Sequence, residues 1–245
     1  MKFAIIAAGE GSRLHEEGIS LPKPLVRLNG EPMIDRLLRI FTDCGAEETV
    51  VIVNRLHPET EAHVRILMEG EYKDRLRLIV KTTPSSMHSF SELAPYLDGA
   101  PFCLTTVDTI FREAEFRDYI REFESTTCDG LMAVTDFIDD EKPLYVATEA
   151  GSLRVKGFHD APTADCRFIS GGIYALRPKA LQTLRRCMAE GQSRMRNFQR
   201  GLIADGLSIY ARPFSKILDV DHAEDIRKAE SFLLCEETYT KVGEA

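Results

Sequence analysis

Strand-like and helical patterns alternate through the first half of this 245-residue chain. Short apolar runs rich in β-branched residues predict strands at Lys2–Ala8, Thr49–Asn54, Leu76–Thr82 and Pro101–Asp108. Apolar stripes of helical period predict helices between them, at Pro32–Asp43, Pro58–Met68 and Ser89–Leu97. Strands that alternate with helices form a parallel sheet with helices on both faces. The expected fold is therefore α/β, with three αβα layers around a mostly parallel, Rossmann-like sheet.

A different rhythm begins after about residue 126. Further strand candidates lie at Gly130–Phe137, Leu144–Glu149, Leu153–His159, Phe168–Leu176 and Ser208–Pro213. Turn-like segments at Asp139–Lys142 and Glu149–Ser152 indicate antiparallel additions to the sheet. The last predicted element is a helix at Asp221–Leu234, where Asp221 and Glu224 have the spacing of a capping box. Because no linker or repeat is visible, residues 1–245 are expected to form one domain with lobes at 1–126 and 127–245.

Composition and charge narrow the class of protein. Acidic residues exceed basic ones, 39 against 31, and the net charge of −8 argues against a nucleic-acid partner. The apolar run Phe3–Ala8 is too short for a signal peptide or a membrane span, so we expect a cytoplasmic protein without membrane contact. The six cysteines form no CxxC pair, so reduced thiols are expected rather than a zinc site. A basic set on a predicted helical face leaves a homo-oligomer open: Arg185, Arg186, Arg194, Arg196 and Arg200.

The first predicted strand leads into a glycine-rich loop with the sequence AAGEGSRL, residues 7–14. Gly9 and Gly11 let the backbone turn sharply, and its N–H groups can cradle phosphate oxygens. The dinucleotide-binding fingerprint needs a third glycine, but Leu14 stands there. A nicotinamide-dependent oxidoreductase would also need an acidic residue about 20 residues later, at a strand end. Asp35 falls near that offset but inside a predicted helix, which disfavours this alternative.

A lysine between two prolines follows in the segment LPKPL, residues 21–25. The prolines hold Lys23 on a stiff, extended backbone. The combination AAGEGSRL…LPKPL resembles the opening of the nucleoside-triphosphate transferase family, which includes the sugar-1-phosphate nucleotidyltransferases. Later segments resemble further family landmarks in the same order, at Asn29–Ile34, Phe102–Asp108, Phe168–Pro178 and Leu218–Asp225.

The resemblance implies nucleotidyl transfer, in which a phosphate oxygen of an acceptor attacks the α-phosphorus of an NTP and pyrophosphate leaves. Arg13 matches the family's loop arginine and would hold the β- and γ-phosphates. Lys23 would neutralise the α-phosphate and the acceptor phosphate. The loop would line the base and phosphates at Ala7, Ala8, Gly9, Glu10, Gly11 and Ser12. The lobe 1–126 would bind the nucleotide and the lobe 127–245 the acceptor, in a stand-alone transferase.

The resemblance also implies a magnesium cofactor. Asp108 and Asp219 match the family's two metal-binding carboxylates, and hard oxygen ligands suit Mg²⁺. Asp221 lies two residues after Asp219 and would face the same side of an extended strand. We interpret Asp221 as the cap of the last helix and Asp219 as the metal ligand.

Two segments depart from the family pattern. The base-binding stretch lacks the usual Gln and Gly-Thr pair, and its candidate contacts are the hydroxyls of Thr83, Ser86 and Ser89. Where many members have EKP, this chain has His159-Asp160-Ala161-Pro162, so His159 or Lys156 is expected to contact the acceptor. Gly171 and Gly172 would form a small-residue floor beneath it.

The favoured acceptor is a sugar 1-phosphate, and two alternatives stay open. A cytidylyltransferase acting on choline phosphate or another alcohol phosphate would carry a more polar base-binding stretch, to which Ser86–Ser89 is closer. A catalytically silent nucleotide-binding protein of the same fold would bind an NTP without releasing pyrophosphate.

Overall fold

The computed structural model of the chain describes residues 1–139 and 142–242. Residues 140–141 of the predicted turn therefore lie outside the described residues. The strands are β1 Lys2–Ala7, β2 Arg27–Leu28, β3 Glu31–Pro32, β4 Glu48–Val53, β5 Leu76–Val80, β6 Phe102–Thr106, β7 Thr109–Ile110, β8 Gly130–Thr135, β9 Tyr145–Thr148, β10 Val155–His159, β11 Cys166–Leu176, β12 Ile209–Pro213 and β13 Leu218–Asp219. The helices are α1 Ser12–Glu16, α2 Met33–Asp43, α3 Pro58–Glu69, α4 Ser86–Leu97, α5 Glu113–Ser125, α6 Ala180–Ala189, α7 Met195–Ala204 and α8 Ala223–Val242. Among these described helices, none is long and apolar enough to cross a membrane.

The central sheet has the strand order β5-β4-β1-β6-β11-β8-β12. Strands β5, β4, β1 and β6 run parallel, as do β8 and β12. Strand β11 is antiparallel to both of its central neighbours, β6 and β8. The β9–β10 pair extends the sheet beside the first half of β11. The predicted α/β fold, a mostly parallel sheet with antiparallel additions, is confirmed.

Strand β11 carries an irregularity where its neighbour on one edge changes from β9 to β6. Its register with β8 shifts between Ser170 and Tyr174. Gly172 adopts φ 73° there, and a Cβ on Gly171 would lie 2.2 Å from Cδ1 of Ile217. Glycine is the residue that accepts both the left-handed backbone and the close approach. The two glycines therefore let β11 bend across the sheet.

Helices cover both faces of the sheet. Side chains of β1 alternate between the faces, so Phe3 and Ile5 join one core cluster and Ala4 and Ile6 the other. The first cluster includes buried residues of α2, α3, α5 and α8. The second includes buried residues of α4, α6 and α7. The three-layer αβα arrangement follows from this division.

Helices α4, α5 and α8 depart from the prediction. Helix α8 runs over Ala223–Val242, where the sequence predicts Asp221–Leu234. Helix α4 begins at Ser86, three residues earlier than predicted, because Ser85 accepts a hydrogen bond from the backbone N–H of His88. Helix α5 was not predicted, although its buried Phe116, Ile120 and Phe123 recur at helical spacing.

The capping box predicted from Asp221 and Glu224 is wrong. Asp225 Oδ2 accepts hydrogen bonds from the backbone N–H groups of Asp221 (3.2 Å) and His222 (2.8 Å). Glu17 Oε2 accepts one from the first residue of α8, at 2.6 Å. The start of α8 is therefore capped by side chains other than that of Asp221, which faces Arg13 and Lys23.

Candidate active site

The glycine loop joins β1 to α1 at the carboxyl end of the parallel strands, where open α/β sheets bind ligands. Gly11 adopts φ 65°, a left-handed conformation that favours glycine. A Cβ on Gly11 would lie 3.3 Å from Cβ of Lys23. The loop therefore lies against the single helical turn Lys23–Leu25, and the two sequence motifs meet in space.

A buried asparagine fixes the start of this loop. Asn54 is 1% exposed at the end of β4, and its Nδ2 donates to the carbonyl of Ala8 at 3.0 Å. Its Oδ1 accepts from Thr82 Oγ1 at 2.7 Å and from the backbone N–H of Leu56 at 3.0 Å. Sequence reasoning missed this residue. The available signal was a polar side chain at the carboxyl end of a buried strand.

Four charged side chains meet beside the loop. The Lys23 ammonium donates hydrogen bonds to Asp108 Oδ2 and, at 2.8 Å, to Asp221 Oδ1. The other oxygen of Asp221 lies 3.2 Å from Nη2 of Arg13. The side chain of Lys23 is 10% exposed and that of Arg13 is 52% exposed. Lys23 is therefore the inner cation of this cluster and Arg13 the outer one.

Burial and charge act in opposite directions on the inner pair. Burial alone disfavours the ammonium of Lys23, but the carboxylates of Asp108 and Asp221 outweigh it and raise the pKa of Lys23. Burial likewise opposes the carboxylate of Asp108, but the charge and hydrogen bond of Lys23 outweigh it and lower the pKa of Asp108. Both groups are therefore charged at neutral pH.

Two cavities adjoin at this cluster. The first cavity, of about 500 Å³, is lined by every residue that the sequence assigned to the nucleotide: Ala7, Ala8, Gly9, Glu10, Gly11, Ser12, Arg13, Lys23, Thr83, Ser86 and Ser89. The second cavity, of about 620 Å³, is lined by β11, β13 and the start of α8. Arg13 and Asp221 line both cavities. The charged cluster therefore stands at the border between them.

The two neighbouring aspartates of the C-terminal motif point to different partners. Asp221 faces Lys23 and Arg13. Asp219 accepts a hydrogen bond from Thr109 Oγ1 at 3.3 Å and lines the second cavity. The structure therefore brings Asp221, rather than Asp219, onto the ammonium that Asp108 also binds.

The family model of the MobA-like NTP transferase domain matches residues 3–202. The chain belongs to this family. Among curated relatives, mannose-1-phosphate guanylyltransferase 1 of Arabidopsis thaliana is 27% identical over 191 residues, which cover 75% of this chain and 52% of that protein. The mannose-1-phosphate guanyltransferase of Schizosaccharomyces pombe is 28% identical over 189 residues, with the same coverage of 75% and 52%. The chain thus spans about half the length of the curated relatives it matches.

Solved structures share the fold of this NTP transferase domain. A Bacillus anthracis protein described as a glucose-1-phosphate thymidylyltransferase superposes with a TM-score of 0.82 at 17% identity, over 95% of this chain and 94% of that one. The inositol-1-phosphate CTP transferase from T. maritima gives a TM-score of 0.75 at 14% identity, over 95% and 97%. At these identities the likeness concerns the fold.

In the stretch that the sequence predicts to bind the base, two of the three candidate hydroxyls contact each other. Thr83 Oγ1 and Ser89 Oγ lie 2.6 Å apart, and Ser89 is 2% exposed. Ser85 caps α4. Both Pro84 and Ser85 line the first cavity. Thr83 and Ser89 are therefore fixed relative to each other.

The predicted acceptor residues are spread more widely. Gly171 lines the second cavity, whereas Gly172 packs against Thr109. His159 is exposed on β10 and is not among the described residues that line either cavity. Lys156 is paired with Asp165 at 2.6 Å.

The segment His159–Pro162 is held against the basic residues of α7. Asp160 forms salt bridges with Arg196 and, at 2.7 Å, with Arg200. Two further members of the set on α6 are also paired, Arg185 with Asp98 and Arg186 with Asp205.

The inner cluster fits the Mg²⁺ that the family resemblance implies. Asp108 and Asp221 present hard oxygen atoms to one shared position, now taken by the Lys23 ammonium. Proteins bind Mg²⁺ through one or two carboxylates together with substrate phosphates. Within the described residues, no group of three or more His, Cys, Asp or Glu side chains could hold a metal alone. Phosphate oxygens would therefore complete the coordination.

Proposed function

We propose that this chain transfers a nucleoside monophosphate from an NTP to a sugar 1-phosphate and releases pyrophosphate. The observation that carries the proposal is the cluster of Arg13, Lys23, Asp108 and Asp221 at the border between two cavities. An acceptor phosphate must meet the α-phosphate of the NTP between their binding sites. A paired set of cations and carboxylates at that border suits this geometry.

The first cavity would take the nucleotide. Backbone N–H groups of the loop Gly9–Ser12 would face the phosphates, and Arg13 would hold the β- and γ-phosphates and the departing pyrophosphate. Thr83, Ser86 and Ser89 would contact the base.

The second cavity would take the acceptor. Apart from Arg13, the residues that line this cavity all belong to the lobe 127–245. Gly171, where β11 bends, is one of them. The names of the relatives, which act on mannose 1-phosphate, support a sugar 1-phosphate as the acceptor.

The chemistry at the border follows from charge. One phosphate oxygen of the acceptor attacks the α-phosphorus, and the bond to the bridging oxygen of pyrophosphate breaks. Lys23 would neutralise the α-phosphate and the acceptor phosphate, which otherwise repel each other. Mg²⁺, held by Asp108 and Asp221 with the phosphates, would supply further neutralisation of the same groups. Asp221 takes here the role that the sequence motif suggested for Asp219.

Pyrophosphate release tests the proposal. Each of ATP, GTP, CTP and UTP is incubated with the protein, Mg²⁺ and one acceptor from a panel, with EDTA as the matched control. The panel contains glucose 1-phosphate, mannose 1-phosphate, inositol 1-phosphate and choline phosphate. Release with one NTP and one sugar 1-phosphate is the expected result.

Other outcomes of the panel identify the alternatives. Release only with the pair of CTP and choline phosphate would favour the alcohol-phosphate cytidylyltransferase. The polar residues of Ser86–Ser89 are the sequence feature that keeps this alternative open. Silence with every pair, together with NTP binding detected by a thermal shift, would favour the catalytically silent nucleotide-binding protein. Silence without NTP binding would contradict the assignment of the first cavity.

A further inference from the structure

The ammonium of Lys23 occupies the position between the two carboxylates that a divalent cation would use. It donates to Asp108 and, at 2.8 Å, to Asp221, and its side chain is 10% exposed. A metal ion on the same oxygen atoms would lie next to this ammonium. Two cations at such a distance repel each other, and burial strengthens the repulsion because water screens it less.

The nucleotide-free protein needs this ammonium. Asp108 and Asp221 would otherwise face each other in a partly buried cleft without a counterion on their inner side. Leaving a buried charge without its partner is strongly destabilising. Lys23 therefore neutralises these two carboxylates before a metal ion binds, and the metal ion would neutralise them afterwards.

The ammonium also has a place to move. Lysine carries its charge on a flexible four-carbon stem, and Lys23 lines the first cavity as well as contacting the carboxylates. Phosphate oxygens in that cavity would offer the ammonium new anionic partners. Its departure would expose the oxygen atoms of Asp108 and Asp221 to a divalent ion.

We propose that Lys23 is the internal counterion of the metal site and competes directly with the divalent ion for Asp108 and Asp221. This inference rests on the proposed function, because it takes the two carboxylates as metal ligands. Metal binding to the nucleotide-free protein is weak as long as the ammonium stays in place. Arg13, exposed and 3.2 Å from the outer oxygen of Asp221, makes a smaller contribution.

Mn²⁺ binding to the nucleotide-free full chain tests the competition. Free Mn²⁺ is measured by electron paramagnetic resonance during titration of the wild-type protein and of Lys23→Met, which removes the charge and keeps the length of the side chain. The dissociation constant of Lys23→Met is expected to be at least tenfold lower than that of the wild type. Arg13→Met is expected to change it by less than threefold.

A matched control tests whether the loss of any cation that pairs two carboxylates would raise Mn²⁺ affinity equally. Arg39 bridges Glu31 at 2.9 Å and Glu113 at 2.8 Å, and it is not among the described residues lining either cavity. Arg39→Met is expected to leave Mn²⁺ affinity within threefold of the wild type. Equal affinities of wild type and Lys23→Met, or an equal gain in Arg39→Met, would overturn the proposal.

A second variant, Lys23→Gln, tests the proposal if Lys23→Met folds poorly. Lys23→Gln removes the charge but keeps an N–H donor for one of the carboxylates. Mn²⁺ is expected to raise the thermal unfolding midpoint of Lys23→Gln by more than it raises that of the wild type. An equal or smaller rise would contradict the counterion role.

The outcome is distinguishable from failure of the proposed function. Equal Mn²⁺ affinities in a wild-type protein that releases pyrophosphate would overturn only the counterion role. A tenfold gain in Lys23→Met, with no pyrophosphate release by the wild type for any NTP, would overturn only the transferase proposal.

Discussion

Arg13 and Lys23 approach the same carboxylate from different sides, and each is expected to be essential for transfer. Under the proposed function, Arg13→Ala and Lys23→Ala should each lower kcat/KM for pyrophosphate release by about 10²-fold or more, because each would remove a cation assigned to the reacting phosphates. Steady-state kinetics with the active NTP and acceptor would measure this. Arg65→Ala is the control, since Arg65 pairs with Glu61 within α3. Near-wild-type turnover in either cleft variant would contradict its assigned role.

Two pairs of aspartates are candidate metal ligands, Asp108 with Asp219 and Asp108 with Asp221. Substituting each of the three aspartates distinguishes the two pairs. Asp108→Asn and Asp221→Asn are each expected to raise the Mg²⁺ concentration for half-maximal activity by at least tenfold, because each removes a charged ligand oxygen. Asp219→Asn is expected to shift it by less than threefold, since Asp219 lies on Thr109. A Mg²⁺ titration of initial rates makes the comparison. The reverse pattern, with Asp219→Asn alone affected, would restore the interpretation drawn from the motif.

Single residues were predictable where the signal was local. Arg13 and Lys23 stand in short motifs whose glycines and prolines restrict the backbone, so their approach could be expected from the sequence. Asp219 and Asp221 stand in one extended segment, and a backbone rule alone does not decide which of them meets Lys23. The position of Asn54 at the carboxyl end of a buried strand is a local signal, but its partner Ala8 lies 46 residues away in sequence and is not indicated by that signal.

Among the elements of the fold, the β1–α1 loop depends for its shape on a glycine, Gly11. Gly11 has φ 65°, and a Cβ added to it would lie only 3.3 Å from Cβ of Lys23. Gly11→Ala is therefore expected to lower the free energy of unfolding by about 1–2 kcal/mol through the left-handed backbone alone. It should also lower kcat/KM, because the added methyl group pushes against Lys23. Urea unfolding and the pyrophosphate assay measure the two effects.

The neighbouring glycine supplies the control for that variant. A Cβ on Gly9 would meet nothing within 4 Å, and its φ lies outside the left-handed range. Gly9→Ala should therefore change the free energy of unfolding by no more than about 0.5 kcal/mol. Equal destabilisation by the two substitutions would show that the left-handed backbone of Gly11 is not the cause.

Elements were predictable in type but less so in arrangement. The apolar runs and helical stripes of the first half indicated the parallel strands β1, β4, β5 and β6, because each strand has helices on both faces. The place of β11 between β6 and β8 depends on pairings across the sheet and on the bend at Gly171, which periodicity does not encode. Helix α5 shows the opposite case, since its aromatic stripe is a local signal from which the helix could have been predicted, although the sequence analysis does not predict it.

At the scale of the whole molecule, the first helix and the last helix meet beside the cluster. Glu17, just after α1, accepts a hydrogen bond from the first residue of α8 and lies 2.6 Å from Nδ1 of His222. His222 and Asp221 are consecutive, so this contact helps to hold Asp221 beside Lys23. The end of α1 and the start of the last helix are therefore linked by a pair of titratable side chains.

The sign of the pH effect follows from the two pKa shifts. The hydrogen bond to Glu17 raises the pKa of His222, so its contribution to stability is complete below the ordinary histidine value and is lost as pH rises through the raised one. The hydrogen bond from the backbone N–H of Ala223 lowers the pKa of Glu17 most, and the hydrogen bond from His222 lowers it further. The contribution of Glu17 to stability is therefore present above the ordinary carboxyl pKa and is lost as pH falls through the lowered pKa. Both partners are charged between about pH 5 and pH 6.

The coupling between Glu17 and His222 is therefore expected to be strongest in that window and weaker at pH 8.5. A double-mutant cycle of Glu17→Gln and His222→Gln isolates it, because the hydrogen bond that the backbone of α8 donates to Glu17 cancels between the two arms of the cycle. Urea unfolding of the four proteins at pH 5.5 and at pH 8.5 gives the two coupling free energies. A coupling that is the same at both pH values would mean that neutral His222 binds the Glu17 carboxylate as well as protonated His222 does, and protonation of His222 would then have no part in holding the last helix beside α1.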